Sequence, residues 1–156
     1  MAARKRLEKY LRDQGVRFET MTHPVAYTAQ EVAAAQHVSG RRLAKVVIAN
    51  ADGQLVMLVL AASFRVEFSK LRSVLKAKKV HLAREEEFDG TFTDCEVGAM
   101  PPFGNLYELP MYVDQSLAGV GEMVFKVGSH ATSMKVRFSD YKQLVKPQIA
   151  DFATHS

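Results

Sequence analysis

Lys45-Val-Val-Ile-Ala-Asn-Ala-Asp-Gly-Gln-Leu-Val-Met-Leu-Val-Leu60 decides the fold. Two β-prone runs, Lys45 to Ala49 and Gln54 to Leu60, flank Asn50-Ala51-Asp52-Gly53. Asp-Gly supplies the positive φ angles that a tight hairpin needs, so the stretch predicts two antiparallel strands. The second run is apolar almost throughout, which predicts a central strand covered on both faces.

The N-terminal side of the hairpin predicts a helix over 4–14, with Leu7, Tyr10 and Leu11 on one face and Gly15 as the stop. Arg17 to Thr22 predicts a short strand, ended by His23-Pro24. Thr28-Ala-Gln-Glu31 has the form of a capping box and predicts a second helix to about His37, broken by Ser39-Gly40. On the C-terminal side, Phe68, Leu71 and Leu75 share a helical face within Val66 to Leu75, and Glu85 to Phe88 predicts one more turn of helix. Residues 94–110 crowd Gly98, Pro101, Pro102, Gly104 and Pro110 into an apolar stretch, the signature of a constrained loop rather than a linker. Glu122 to Val127 and Thr132 to Phe138 predict strands around Gly128-Ser129-His130, and Ser139-Asp140 is placed to cap a last helix through Val145. No repeat or internal boundary interrupts residues 1–156. The expectation is one mixed α/β (α+β) domain whose curved, partly antiparallel central sheet is flanked by helices.

The bulk numbers bound the function. The 156 residues are 47% apolar and 24% charged, which fits a single folded core. No apolar run reaches the roughly 20 residues of a membrane span, and no apolar stretch follows Met1-Ala-Ala-Arg-Lys-Arg6, so neither a membrane nor a secretory route is expected. Cys95 is the sole cysteine and the histidines stand apart, which leaves no disulfide framework and no metal-binding spacing. A reducing, cytoplasmic setting without metal or cofactor is expected. Residues 1–80 carry 15 Lys/Arg against 6 Asp/Glu, whereas residues 81–156 carry 6 against 11. That asymmetry points to a polyanionic partner for the basic part, beside the plainer reading of a solvated surface.

Three features could carry chemistry. Lys45 opens a strand; it either snorkels to solvent or anchors a phosphate or polarised oxygen from a rigid base. Gly98-Ala-Met-Pro-Pro102-Phe-Gly104 is either a packed turn or a loop whose backbone N–H groups are held outward for an oxyanion. Gly128-Ser129-His130 is either a polar turn or a place where His130 orients a reacting oxygen. Ser129 lacks a G-x-S-x-G elbow, and Cys95 sits between Asp94 and Glu96, which disfavour its thiolate. A serine or cysteine hydrolase remains the rival built on those two residues.

Taken in order, these segments resemble the YbaK/ProRS-associated editing-domain family from Leu7 to about Leu144. The likeness rests on His23-Pro24-Val25-Ala-Tyr27-Thr28-Ala-Gln-Glu31-Val32-Ala33, on Leu43-Ala-Lys45-Val-Val-Ile48, and on the G-x-x-x-P pattern from Gly98 to Pro102. It continues in Gly128-Ser-His130, Met134-Lys-Val-Arg-Phe138 and Asp140-Tyr141. The resemblance implies an aminoacyl-tRNA deacylase acting in trans, with alanyl-tRNA(Pro) or a similarly small ester as substrate. The alternatives it leaves are cysteinyl-tRNA(Pro), and a module that binds a nucleotide or tRNA 3′ end without catalysis. It implies Lys45, Gly98 and His130 as catalytic residues, with Tyr27, Thr28, Met100, Pro102, Gly128 and Ser129 around the substrate. In such a family the ribose hydroxyl beside the ester helps activate water. The implied partners are the tRNA acceptor end and prolyl-tRNA synthetase, and DNA is not among them.

Overall fold

The computed structural model describes residues 3–25 and 39–156. The capping box at Thr28 and the helix expected after it lie outside the described residues, as do the candidate site residues Tyr27 and Thr28. The chain runs α1 (Ala3–Asp13), β1 (Phe18–Thr22), β2 (Ala44–Ala51), β3 (Gln54–Ala61), β4 (Phe64–Val66) and α2 (Phe68–Leu75). It continues with β5 (Val80–Leu82), α3 (Glu85–Phe88), β6 (Met111–Asp114), β7 (Glu122–Lys126), β8 (Thr132–Arg137), α4 (Phe138–Val145), β9 (Gln148–Ala150) and β10 (Ala153–His155).

The predicted hairpin is the centre of a five-stranded sheet of order β5-β2-β3-β6-β9. Its two-residue turn puts Asp52 at φ 51° and Gly53 at φ 92°, the mirror-image turn that Asp-Gly favours. β5, β2 and β3 pair antiparallel, whereas β6 adds parallel to β3 and β9 parallel to β6. A second sheet, β1-β8-β7, is antiparallel throughout. The two sheets meet where Leu43 bridges Val124 in parallel register and the Val124 N–H donates to the Arg42 carbonyl at 3.0 Å.

Strand alternation divides the interior. Ala44, Ile48, Met57, Val59 and Ala61 face one core with Leu7, Leu11, Phe103, Phe125, Met134 and Tyr141. Ala49, Val56, Leu58 and Leu60 face the other, with Leu71 and Phe152. β3 is therefore buried on both sides, as its apolar run predicts. Buried Asp114 holds the C-terminal segment by accepting from the Phe152 and Ala153 N–H groups at 2.8 and 3.0 Å.

The starts of two later helices differ from expectation. Val66 ends β4, paired with Ala153 of β10, because the C-terminal strand gives it a ladder that its own neighbours in sequence do not. Glu67 then caps α2, its carboxylate accepting from the Ser69 N–H at 3.3 Å. The last helix begins at Phe138, with Arg137 rather than Ser139 at the cap position, because β8 runs straight into it.

Candidate functional site

The Gly/Pro-rich loop is fastened at both ends. Tyr141, buried in α4, donates its hydroxyl to the Pro102 carbonyl at 2.6 Å, and Phe103 packs edge-on against Tyr141 and Tyr10. Gly104 is required there, since a Cβ would stand 2.8 Å from the Leu109 carbonyl oxygen. Met100 and Pro102 are buried, so they form the floor of the loop and not its rim. At the other end Gly128 ties the loop to the following turn. Its N–H donates to the Ala99 carbonyl and its carbonyl accepts from the Glu96 N–H, both at 2.8 Å.

His130 closes this knot. It is 8% exposed, and its Nε2 lies 2.7 Å from the Val97 carbonyl oxygen. A carbonyl only accepts, so Nε2 carries the proton; Nδ1 then accepts from the Lys126 ammonium at 2.8 Å. The Glu96 carboxylate in turn accepts from the His130 N–H at 3.1 Å. Gly98 lies against the same imidazole, with a built Cβ 3.4 Å from Cε1.

This arrangement fixes one peptide plane. The bond between Val97 and Gly98 is trans and planar, so its C=O and N–H point in opposite directions. With the carbonyl drawn to His130, the Gly98 N–H is aimed the other way. Gly98 is exposed at φ 82°, and its N–H has no hydrogen-bond partner among the described residues. The sequence thus delivers one preset donor, oriented through His130.

Lys45 approaches from β2. That strand turns Ala44, Val46 and Ile48 to the core, and β7 does the same with Met123 and Phe125, followed by Val127 just past its end. Lys45 and Lys126 therefore take the opposite faces of their strands. β2 and β7 approach each other at the Leu43–Val124 bridge, which precedes both lysines. The Lys45 ammonium is half-buried, and among the described residues it donates to the Ala62 carbonyl at 3.5 Å. Burial lowers its pKa below the ordinary lysine value.

Ser129 belongs to the turn: its hydroxyl donates to Thr132 Oγ1 at 3.0 Å and accepts from the Ala131 N–H at 3.2 Å. It has no hydrogen bond to His130. Cys95 is held protonated, its pKa pushed up to about 12 by burial; hydrogen bonding to the Tyr107 hydroxyl opposes that rise and the Asp94 charge reinforces it. Among the described residues no group of three or more His, Cys, Asp or Glu could hold a metal ion. No helix there is long and apolar enough to cross a membrane.

The structure thus joins Gly98, Met100, Pro102, Gly128, Ser129 and His130 in one loop system, whereas Lys45 has its hydrogen bond with Ala62 and not with that loop. It adds Glu96, Val97 and Lys126, which the motifs did not single out. Val97 acts through its carbonyl, which carries no side-chain signal, and Lys126 meets His130 only because a glycine turn folds the chain back between them.

The multifunctional Ser/Thr-tRNA deacylase ProXp-y of Escherichia coli K12 is 27% identical over 153 residues, covering 95% of this chain and 91% of that protein. The proline–tRNA ligase of Geobacillus thermodenitrificans is 29% identical over 105 residues, 67% of this chain but 18% of the ligase. A solved structure described as a candidate trans-editing enzyme for prolyl tRNA synthetase superposes with a TM-score of 0.86 at 20% identity, covering 99% of this chain and 98% of that one, which establishes the shared fold. A model of the aminoacyl-tRNA editing domain matches residues 23–144, so the chain belongs to that family of aminoacyl-tRNA deacylases.

Proposed function

We propose that this chain hydrolyses, in trans, the ester joining a small amino acid to the 3′ end of tRNA. Alanyl-tRNA(Pro) is the first candidate. Seryl and threonyl esters follow, because the Escherichia coli relative carries those substrates in its name. The observation that carries this reading is the Val97–Gly98 peptide, whose N–H is aimed away from His130 and has no partner among the described residues while His130 holds its carbonyl.

The chemistry needs little more. Water adds to the ester carbonyl, and the developing oxyanion accepts from the Gly98 N–H. The carbon–oxygen bond to the ribose then breaks, the ribose oxygen takes a proton, and free amino acid leaves tRNA behind. The neighbouring ribose hydroxyl serves the attacking water, so no protein nucleophile is required. Lys45, with donors to spare beyond Ala62, holds the phosphate side of the ester. His130 is a positioning residue that sets the peptide plane. Tyr27, Thr28, Met100, Pro102, Gly128 and Ser129 shape the space around the ester, and its volume excludes larger amino acids. Prolyl-tRNA synthetase is the partner from which mischarged tRNA would arrive.

The test is a deacylation panel of alanyl-, seryl-, threonyl-, cysteinyl- and prolyl-tRNA. Turnover of the small esters with prolyl-tRNA spared is the expected result. Turnover of none, with tight tRNA binding retained, would favour a non-catalytic binding module.

A further inference from the structure

A cavity of about 230 Å³ lies against the Gly128–Ser129 turn, walled by Arg4, Lys5, Asp94, Gly128, Ser129 and Thr132 among others. α1 carries five basic side chains, and most are neutralised locally. Arg6 meets Asp94 at 3.3 Å, Lys9 meets Asp13 at 2.7 Å and Arg12 meets Glu8 at 4.0 Å. Arg4 and Lys5 make no ion pair or side-chain hydrogen bond among the described residues, and these are the two that wall the cavity. The carboxylate in that wall, Asp94, is already engaged by Arg6 and by the Tyr107 hydroxyl at 3.0 Å. The wall is therefore left cationic.

The polar groups opposite are arranged as donors. The Ala131 N–H donates to the Ser129 hydroxyl, which donates to Thr132 Oγ1, and Thr132 keeps its own proton for an acceptor. Arg4, Lys5 and a hydroxyl donor in one cavity suit an anion with several acceptor oxygens. The cavity also adjoins the ester site, because Gly128 is bonded to both Ala99 and Glu96 and precedes His130 by two residues.

We propose that this cavity holds a backbone phosphate of the tRNA 3′ strand and so registers the strand against Gly98. The proposal rests on the deacylase reading for its direction, and the experiment separates the two. The double variant Arg4→Ala/Lys5→Ala is compared with the parent on aminoacyl-tRNA and on an aminoacyl-adenosine that has no phosphodiester. The ratio of kcat/KM for tRNA to that for the adenosine ester should fall by about 10-fold, through KM, at the scale of a lost phosphate contact. Binding of uncharged tRNA, followed by fluorescence anisotropy, should weaken similarly, and the slope of log K against log salt should shrink by about one unit. An equal loss on both esters marks Arg4 and Lys5 as structural and overturns the proposal, as does an unchanged tRNA affinity. Inorganic phosphate binding tightly to the parent while tRNA affinity ignores the double variant would assign the cavity to free phosphate and likewise overturn it. A parent that binds tRNA through Arg4 and Lys5 but turns over no ester leaves the phosphate site standing and removes the deacylase reading alone. Arg4→Lys with Lys5→Arg should restore binding, since both charges persist.

Discussion

Substitutions at Gly98 should produce a graded loss whose size follows from two competing costs. At φ 82° an alanine sits in the left-handed region at a cost of about 1–2 kcal/mol. Its Cβ would meet His130 Cε1 at 3.4 Å, an ordinary contact, so no clash is added. The loop can escape by flipping the Val97–Gly98 peptide, which takes residue 98 to negative φ. The flip breaks the bond from His130 to the Val97 carbonyl, worth about 1 kcal/mol net, and turns the Gly98 N–H away. The flipped form is then favoured by roughly 0–1 kcal/mol, leaving about a half to a sixth of the molecules with the donor in place. Gly98→Ala should therefore lose about 2- to 6-fold in kcat, with a melting temperature about 2–4 °C lower. Valine adds methyl groups beyond a Cβ already in contact with the imidazole, so only the flipped form survives. Gly98→Val should lose the full value of an oxyanion donor, about 10²- to 10³-fold in kcat. The assay is single-turnover deacylation beside thermal unfolding. Equal losses for alanine and valine, or valine within about threefold of the parent, would refute the peptide-plane argument.

The neighbouring residues give further expectations. His130→Gln, whose amide can still reach the Val97 carbonyl, should keep more turnover than His130→Ala. Equal and complete loss of turnover in both variants would make His130 a reacting group instead of a positioning one. Lys45→Met should cost about 10²-fold in turnover while unfolding at the same or a higher temperature. Burial lowers the Lys45 pKa in the fold, so its protonated form favours the unfolded chain. That penalty is present below the lowered value and fades as pH rises through it towards the ordinary one. A Lys45→Met protein that melts lower than the parent would contradict this sign. Cys95, with a thiol pKa of about 12, should react with iodoacetamide at pH 8 about 10³-fold more slowly than a free thiol, and normally once unfolded. Cys95→Ala should keep most of its turnover.

Much of the fold was legible because its centre is written locally. Asp52-Gly53 can make only a tight hairpin turn, and the apolar run after it can only be interior. The short strands were not legible. Val80–Leu82, Met111–Asp114, Gln148–Ala150 and Ala153–His155 are three or four residues long, and each is a strand only because a partner distant in sequence supplies its ladder. The site divides the same way. Gly98, His130 and Lys45 stand out as residue types in a motif. What organises Gly98 and His130 is a backbone carbonyl at Val97, a lysine folded back by a glycine, and a buried tyrosine hydroxyl on Pro102. None of those contacts has a spacing that a linear reading can detect. The Arg4–Lys5 wall was hidden for a different reason, since cations unpaired among the described residues differ from paired ones such as Arg6 only through their neighbours in space.

On the proposed mechanism a preset peptide donor and the substrate's own hydroxyl suffice, without a nucleophile from the protein. That mechanism is tested most directly by single-turnover deacylation of alanyl- or seryl-tRNA whose terminal adenosine either has or lacks the free hydroxyl beside the ester, with intact-protein mass spectrometry at each time point. Rapid cleavage of the normal substrate, near-inert deoxy substrate and no aminoacyl adduct at any time is the predicted result. An adduct trapped on Ser129 or Cys95, or normal cleavage of the deoxy substrate, would contradict the account and establish covalent catalysis in its place.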